Sequence, residues 1–402
     1  MQPWQVEAGA LPAREWDVAI VGGGPAGSLA ALHAARGGRS VVLLERGEYP
    51  RDKVCGDALI PDALNALRRA GLYDAVRNAA LPATRCVLYS PSRAAAAIQA
   101  ESLMIKRLEL DQLLAHAASV SGATIARADV ASVTQQDERV VIGIAASPRN
   151  VVARTAVLAT GAHVSLLRPL GMVQKKEPSA VALRCYVRSR ARIDDLLLSF
   201  DSSVTPGYAW IFPLPGDEYN VGCGIFDFEG TDGGRRNLRR MFDRFVTQFP
   251  PARALFDGAS STSPLKGAPL RCGLQGSTTW LPPNVLAIGE AVGTTFPFNG
   301  EGIGKAMETG EIAASLLNEA FAAHDLSRLA EFPRRVGALA SKYVGYNIAQ
   351  RWFSSPLLID IFIRRARRSR WVSSAFAGIV AETVDPRVMF SVRGMINTML
   401  RR

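Results

Sequence analysis

Glycines at positions 22, 24 and 27 are spaced to bring backbone amides against a phosphate group. They follow a short β-branched run at 16–21 (WDVAIV), which predicts a buried parallel strand. Gly22 permits a tight turn, Gly24 lets the backbone approach a pyrophosphate, and Gly27 lets a helix predicted at 28–37 pack on the strand. Unpaired N–H groups at the start of that helix bind the anion. The spacing therefore predicts a dinucleotide site.

An acidic residue completes this unit. A second apolar strand is predicted at 40–44, and Glu45 follows it directly. A carboxylate at this place accepts hydrogen bonds from both hydroxyls of an adenosine ribose and repels a 2′-phosphate. The order of strand, helix, strand and acid favours a dinucleotide site over an ordinary glycine loop. The predicted contacts of this unit also include Pro25, Ala26 and Arg46.

Two segments in the middle of the N-terminal half begin to favour FAD over NAD. Arg107 opens a predicted helix (RLELDQLL) and is either a cofactor contact or a solvated charge at the helix start. Residues 156–161 (AVLATG) predict a strand that enters a turn at Gly161. The backbone can approach the dinucleotide a second time at that turn.

A third segment is the strongest evidence for FAD. A strand predicted at 285–289 (VLAIG) precedes a glycine loop and a helix predicted at 304–317. The positive start of that helix can stabilise the anionic edge of a reduced isoalloxazine ring, and Gly300 and Gly302 let the backbone touch the ring. A turn that only caps a core helix is the alternative. The predicted cofactor contacts here are Glu290, Pro297, Gly300, Glu301, Gly302 and Ile303.

Alternating segments between 181 and 228, such as ALRCYVRS and YAWIFPL, predict an antiparallel sheet with one buried face. Tyr208, Trp210 and Phe212 alternate along one of these strands and therefore share a face. They form either core or the wall of a cavity for a flat or apolar ligand.

The composition is that of a globular protein with a large core, since 48% of the 402 residues are hydrophobic and 21% are charged. The five cysteines are scattered and the four histidines form no constellation, so neither a disulfide framework nor a metal site is predicted. This cysteine usage indicates a cytoplasmic protein. The first fifteen residues predict a loose arm, because they lack the apolar run of a secretory signal.

The net charge of +11 is concentrated in the tail, where residues 334–402 hold thirteen Lys or Arg against three Asp or Glu. The rest of the chain is nearly neutral, which argues against a nucleic-acid partner. Residues 352–371 (WFSSPLLIDIFIRRARRSRW) are amphipathic but too short and interrupted to span a bilayer. The tail either lies in a membrane interface, which would make the protein membrane-associated, or packs over a substrate cavity with its arginines solvated.

Four motifs resemble those of the geranylgeranyl reductase family, which belongs to a large flavoprotein group with aromatic hydroxylases and flavin-dependent halogenases. The resemblance covers most of the chain. The motifs are GGGPAGS at 22–28, KVCGDAL at 53–59, PGYAWIFP at 206–213 and GEAVGTTFPFNGEGIGKAMETGE at 289–311.

The resemblance implies roles for particular residues. Cys55 and Gly56 lie beside the flavin, and Cys55 is either an inert packed thiol or a proton donor. The loop at 297–302 abuts the isoalloxazine ring, and Glu290, where the family usually has Asp, binds the ribityl chain. The implied substrate contacts are Tyr208, Trp210, Phe212 and Phe298, and the implied catalytic residues are Cys55, Tyr208 and Trp210.

Departures from the related enzymes bear on electron supply and substrate. The hydroxylases usually carry an Asp near Thr160, Gly161 and Ala162 that is linked to reduced nicotinamide, and this chain has none there. The electron donor is therefore either NAD(P)H directly or a separate reductase or ferredoxin. Leu214 stands where a basic residue often follows the Phe-Pro pair, which weakens the case for a phosphorylated isoprenoid.

The predicted fold is α/β, with a discontinuous, hydroxylase-like Rossmann-type FAD-binding domain (1–170 and 268–330). An antiparallel-sheet substrate domain (171–267) is inserted, and a C-terminal helical region (331–402) follows. The resemblance implies an FAD-dependent oxidoreductase that reduces carbon–carbon double bonds of a hydrophobic, isoprenoid-type small molecule. The alternatives are a monooxygenase acting on a hydrophobic aromatic or prenylated natural product, and a flavin-binding sensor.

Overall fold

The computed structural model describes residues 1–175, 178–205, 207–226, 237–297 and 299–400, with the backbone alone at 392, 395, 399 and 400. The strands are β1 (Gln5–Glu7), β2 (Glu15–Val21), β3 (Val41–Glu45), β4 (Ala58–Leu59), β5 (Leu81–Tyr89), β6 (Ala95–Met104), β7 (Thr124–Arg127), β8 (Val130–Gln136), β9 (Arg139–Ile144), β10 (Val151–Leu158), β11 (Ala180–Ser189), β12 (Leu196–Ser199), β13 (Tyr208–Leu214), β14 (Glu218–Phe226), β15 (Ala259–Thr262), β16 (Lys266–Leu270), β17 (Trp280–Leu281) and β18 (Val285–Ala287). The helices are α1 (Pro25–Arg36), α2 (Pro61–Ala70), α3 (Tyr73–Ala79), α4 (Arg107–Val120), α5 (Leu238–Gln248), α6 (Pro250–Asp257), α7 (Ile303–Ala322), α8 (Phe332–Gly337), α9 (Ala340–Phe353), α10 (Pro356–Arg368), α11 (Arg370–Val380), α12 (Arg387–Phe390) and α13 (Val392–Leu400).

The first sheet holds the predicted dinucleotide unit. Its order is β1-β7-β3-β2-β10-β18-β17, and β9 joins β10 with β8 beside it. β2 runs parallel to β3 and β10, so Val21 lies opposite both Leu44 and Leu158. One face of the sheet packs on α1 and α7, and side chains of β8 and β9 pack on the other. The carboxyl ends of β2, β3 and β10 therefore meet at one edge, the usual ligand edge of such sheets.

The prediction of a loose N-terminal arm is wrong. β1 pairs in parallel with β7, with Val6 opposite Ala126, and extends the first sheet at its edge. The ring of Trp4 lies 5.4 Å from that of Tyr49 and 5.6 Å from that of His116. Strand pairing and aromatic packing together offset the entropy that is lost when the arm is ordered.

The second sheet is larger than the stretch 171–267 in which a sheet was predicted. Its order is β15-β11-β14-β13-β12-β5-β6-β4, with β16 paired to β11. Three strands from the N-terminal half thus join it, and β12 connects them by pairing in parallel with β5. The helices α5 and α6 cover one face of the sheet through Phe245 and Leu255. The division of the chain into domains stays a prediction.

The C-terminal helices cover the other side of the second sheet. Phe362 and Phe376 pack in one cluster with Leu88 and Ile98 of β5 and β6. Among the described residues, no helix combines the length and the hydropathy that crossing a membrane requires.

Candidate functional site

A single cavity of about 780 Å³ joins the ligand edge of the first sheet to the second sheet and the C-terminal helices. Both glycine turns, at Gly24 and at Gly300, line it although they are far apart in the chain. Gly27 and Pro297 do not line it, and Phe298 lies outside the described residues. The other sequence-predicted residues all line it: Gly22, Pro25, Ala26, Glu45, Arg46, Cys55, Gly56, Arg107, Gly161, Tyr208, Trp210, Phe212, Glu290, Glu301, Gly302 and Ile303.

The first glycine turn has the geometry of an anion cradle. Gly22 has φ +105°, and a methyl group there would overlap the carbonyl of Ala159. Gly24 is different, because its φ is −80° and the described atom nearest to an added Cβ, chain neighbours aside, would be Arg107 Nη2 at 3.7 Å. The space in front of Gly24 therefore belongs to the cavity. Helix α1 begins at Pro25, three residues before the predicted start, because proline suits a first turn that needs no N–H donor.

Glu45 is held in place by the backbone of two loops. Its Oε2 accepts a hydrogen bond from the N–H of Gly23 at 2.8 Å, and its Oε1 accepts one from Gly47 at 2.9 Å. Arg51 Nη2 lies 3.2 Å from Oε2. Oε1 keeps a lone pair for a further donor, as binding of a ribose hydroxyl requires.

Arg107 is not a solvated charge. Its side chain is 10% exposed and forms a bidentate pair with Asp111, at 2.7 and 2.8 Å. Burial opposes the charge on Arg107, yet Asp111 is close enough to raise the pKa of the guanidinium. Arg51 Nη1 reaches the same carboxylate at 3.0 Å, which gives an ionic chain from Glu45 to Arg107 along the cavity. Nothing in the sequence distinguishes Arg51 from a surface arginine.

The turn that carries Cys55 also contains a buried, hydrogen-bonded carboxylate, that of Asp57. Asp57 has φ +64° and accepts hydrogen bonds from the hydroxyl of Tyr186 at 2.7 Å and from Asn220 Nδ2 at 2.8 Å. Asn220 Nδ2 also donates to the carbonyl of Cys55 at 2.7 Å. The sequence reasoning missed Asn220, although a lone Asn in the apolar strand YNVGCGIF is the kind of residue that makes buried hydrogen bonds.

Burial controls the protonation of this turn. It raises the pKa of the Cys55 thiol, and the nearby carboxylate of Asp57 raises it further. Cys55 is therefore a thiol at neutral pH rather than a thiolate. Burial also raises the pKa of Asp57 to about 6, even though its hydrogen bonds favour the ionised form.

The aromatic residues of β13 form one wall of the cavity. Ring centroids of Tyr208 and Trp210 lie 5.8 Å apart, and those of Trp210 and Phe212 lie 6.3 Å apart, as expected for side chains on one face. The hydroxyl of Tyr208 donates to the carbonyl of Asn299 at 2.9 Å. This bond ties the aromatic wall to the second glycine turn.

The part of the cavity that lies between the second sheet and the C-terminal helices is apolar. One side of it is lined by Leu88, Ile98 and Leu198 of the second sheet and by Phe200, which follows β12. The opposite side comes from α9 and α11, which the sequence motifs did not indicate. The lining residues of these helices are Tyr346, Phe353, Phe376, Ile379 and Val380.

The second glycine turn differs from the prediction in one respect. Gly300 has φ +70°, and a methyl group there would crowd the hydroxyl of Tyr208. The start of α7 was expected to offer unpaired N–H groups, but the N–H of Gly304 already donates to Glu301 Oε1 at 3.0 Å. Glu301 therefore satisfies one of the N–H groups at the helix start. Glu290 lies beside the third turn, since a Cβ at Gly161 would lie 3.6 Å from Glu290 Oε2.

These features fit an extended dinucleotide that carries an aromatic ring system. Glu45 lies where the ribose of such a ligand would bind, and the open space at Gly24 suits its pyrophosphate. The second glycine turn borders the apolar part of the cavity, which suits the ring system. Backbone N–H groups and a helix start supply the binding groups that phosphates need.

Comparisons with known proteins agree with this fit. Residues 15–179 match the family model of an FAD binding domain. A menaquinone reductase from Mycobacterium tuberculosis is 33% identical over 363 residues, which cover 83% of this chain and 82% of the relative. A digeranylgeranylglycerophospholipid reductase from Methanoculleus marisnigri is 27% identical and covers 96% of this chain and 95% of its own length.

A solved structure has the same fold. The geranylgeranyl bacteriochlorophyll reductase-like protein from Thermoplasma acidophilum superposes with a TM-score of 0.77 at 21% identity and covers 96% of each chain. The prediction of FAD as the cofactor is confirmed by the matching domain. This chain is an FAD-dependent oxidoreductase and belongs to the geranylgeranyl reductase family.

Proposed function

We propose that this chain uses reduced FAD to saturate a carbon–carbon double bond in an isoprenoid chain. The observation that carries the proposal is the continuity of the cavity, which runs from both glycine turns into a chamber walled by aliphatic and aromatic side chains. A hydrocarbon chain gains free energy by leaving water for such a chamber. The names of the two relatives also refer to molecules that carry isoprenoid chains.

The residues of the site have separable roles in this proposal. FAD, when bound and reduced, supplies a hydride at N5. Tyr208 and Trp210 hold the alkene against the second glycine turn, where their rings are fixed by hydrogen bonds to Asn299 and Asn220. Cys55 holds a proton on Sγ, because the raised pKa of the thiol keeps it protonated at neutral pH.

The test is a turnover experiment with the mass of the product as readout. The flavin is reduced with dithionite, and menaquinone or a geranylgeranylated lipid is added with and without oxygen. After air has reoxidised any quinol, a product that retains two additional hydrogens, formed without oxygen, supports the proposal. A product that gains an oxygen atom only when oxygen is present contradicts it and establishes a monooxygenase. A flavin that no substrate reoxidises or perturbs would indicate a sensor.

The identity of the electron donor is a separate proposal. The turn at Gly161 carries Thr160, whose hydroxyl donates to the carbonyl of His163 at 2.6 Å, and it has no Asp for a nicotinamide-linked role. We therefore expect a separate reductase or a ferredoxin to supply the electrons. Anaerobic mixing with NADPH or NADH tests this, and rapid bleaching of the flavin by either one would contradict it.

We also propose that the tail touches an anionic membrane surface. Leu357, Val388 and Ile396 are large exposed apolar residues in a segment that is rich in arginine. Such a surface suits peripheral binding, and a membrane would supply an apolar substrate. Flotation with vesicles that contain anionic lipid is the test, and failure to float at low salt would contradict the proposal.

A further inference from the structure

A buried group of acids lies behind the second glycine turn. Asp62 of α2 and Glu301 of the turn are 5% and 9% exposed. Both contact the backbone of Gly304: Glu301 Oε1 accepts its N–H at 3.0 Å, and a methyl group at Gly304 would overlap the carboxylate of Asp62. The two carboxyl groups therefore flank one residue of α7.

The cations near this pair are shared with other acids. Lys305 Nζ lies 4.0 Å from Asp62 Oδ2 but only 2.8 Å from Glu382 Oε1 and 2.5 Å from Glu308 Oε2. Asp62 Oδ1 accepts the N–H of Ala63 at 2.6 Å, but the buried Oδ2 accepts no hydrogen bond from any residue that the structure describes. The negative charge of an ionised Asp62 would therefore be only partly compensated.

The charges of the surrounding elements leave the group short of cations. Lys342 pairs with Glu382 at 2.9 Å, and Arg69 pairs with Glu311 at 2.7 Å. Among the described residues, five carboxylates therefore face three cations, Lys305, Lys342 and Arg69. The phenols that face the pair, Tyr208, Tyr343 and Tyr346, have pKa values raised chiefly by burial and add no charge at neutral pH.

The group connects the cavity with the surface. Glu301 lines the cavity beside Gly300 and Gly302. At the other end, the side chains of Glu308, Glu382 and Lys342 are 23%, 17% and 39% exposed. Ionisable groups are therefore continuous from the flavin-facing turn to solvent, by way of Asp62 and Lys305.

We propose that Asp62 and Glu301 share one proton in the oxidised enzyme and take up a second proton from solvent when the bound FAD is reduced. Two buried carboxyl groups so poorly compensated cannot both ionise at neutral pH. In agreement, burial raises the pKa of both groups. The negative charge of Glu301 raises the pKa of Asp62 further, and that of Glu382 raises the pKa of Glu301. The pair thereby stores a proton next to the reacting ring.

The balance of protons and electrons is simple. Reduction adds two electrons and one proton to the ring, so the ring gains one negative charge. That charge favours protonation of the nearby pair, and the added proton enters through the exposed ends of Glu308 and Glu382. The enzyme therefore takes up two protons for two electrons, one on the ring and one on the pair. Reoxidation by a hydride acceptor releases the second proton to the cavity.

The test measures the pH dependence of the midpoint potential of the FAD-bound enzyme between about pH 6 and about pH 9. The wild type is expected to take up two protons per electron pair near neutral pH. Glu301→Gln and Asp62→Asn are expected to take up one, and Glu311→Gln, which changes an acid of α7 outside the pair, is expected to match the wild type. The absorption spectrum of the reduced flavin must be that of the anionic ring throughout.

An infrared difference spectrum of the wild type keeps the proposal testable if a variant does not fold. Reduction should increase the carbonyl stretch of a protonated carboxylic acid. The proposal would be overturned if the wild type took up only one proton or if its reduced ring were neutral. It would also be overturned if reduction added no carboxylic acid signal or if Glu301→Gln still took up the second proton. The measurement involves no isoprenoid, so it remains valid if the proposed alkene reduction fails.

Discussion

The indole nitrogen of Trp210 donates a hydrogen bond to Oδ1 of Asn220 at 2.8 Å. The amide nitrogen of the same Asn220 donates to the carbonyl of Cys55 and to the carboxylate of Asp57. One buried side chain therefore links the aromatic wall to the turn that carries the thiol. In the proposed function, this amide couples the wall that holds the alkene to the thiol that donates the proton.

Replacing Asn220 with Leu should lower the free energy of unfolding by about 3 kcal/mol or more. The substitution leaves the Trp210 N–H, the Cys55 carbonyl and the Asp57 carboxylate without this partner, and each unsatisfied buried group costs about 1–3 kcal/mol. Urea unfolding measures the change. Asn65→Leu, on the exposed face of α2, is the control and should change stability by less than about 0.5 kcal/mol. Equal effects of the two substitutions would refute the link.

Arg107→Met should destabilise the protein by about 3–5 kcal/mol, because it leaves the buried carboxylate of Asp111 with Arg51 alone. Arg68→Met is the matched control. Arg68 pairs with Glu101 at 2.8 Å, but both side chains are over 40% exposed, so its loss should cost less than about 1 kcal/mol. Thermal unfolding of the two variant apoproteins measures the loss of stability in each. A small loss in Arg107→Met would mean that the chain of buried charges contributes little to stability.

Asp57→Asn should change how stability depends on pH. Burial raises the pKa of Asp57 from 3.8 to about 6, so the folded protein binds this proton more tightly than the unfolded chain does. The stability from this group is fully present below about pH 4 and is lost as pH rises through about 6. Relative to the wild type, the variant should therefore gain about 2 kcal/mol between pH 4 and pH 7. Asn also tolerates the positive φ at this position. A constant difference between the two proteins would disprove the shift.

Cys55 should resist alkylation at neutral pH despite its place in the cavity wall. Its raised pKa leaves almost no thiolate, which is the form that reacts with iodoacetamide. Mass spectrometry should show modification of Cys55 only as pH rises above about 9. The Cys55→Ala variant should still bind FAD but reduce the alkene at least tenfold more slowly, in line with loss of a general acid. Rapid labelling at pH 7 would contradict the assignment of a thiol.

The sequence predicted the parts of the site that are local in the chain. The glycine turns, Glu45 and the alternating wall of β13 follow from spacing and periodicity, because each is built from residues within one or two elements. Long-range partners escaped prediction. Arg51 and Asn220 look like ordinary polar residues until folding brings them to Asp111 and Cys55.

Other features of the structure could not be predicted because they too depend on contacts between distant parts of the chain. The joining of β5 and β6 to the second sheet depends on parallel pairing with β12, which no local pattern encodes. The contribution of Phe353 and Phe376 to the cavity depends on how α9 and α11 fold back over it. A basic amphipathic segment is equally compatible with a membrane surface and with a protein surface, so its pattern could not decide between them.

The central claim is that the FAD pyrophosphate lies against the backbone of Gly24, in the same cavity as Gly300. The dissociation constant of FAD in the Gly24→Ala variant tests this claim most directly. Alanine fits the apoprotein there without strain, because φ is −80° and the nearest described atom beyond the chain neighbours, Arg107 Nη2, would lie 3.7 Å from the added Cβ. Gly337→Ala, with open space around it on α8, is the control. The account predicts that Gly24→Ala unfolds at the wild-type midpoint yet binds FAD at least tenfold more weakly, while Gly337→Ala binds normally. Wild-type affinity in a folded Gly24→Ala protein would contradict the account.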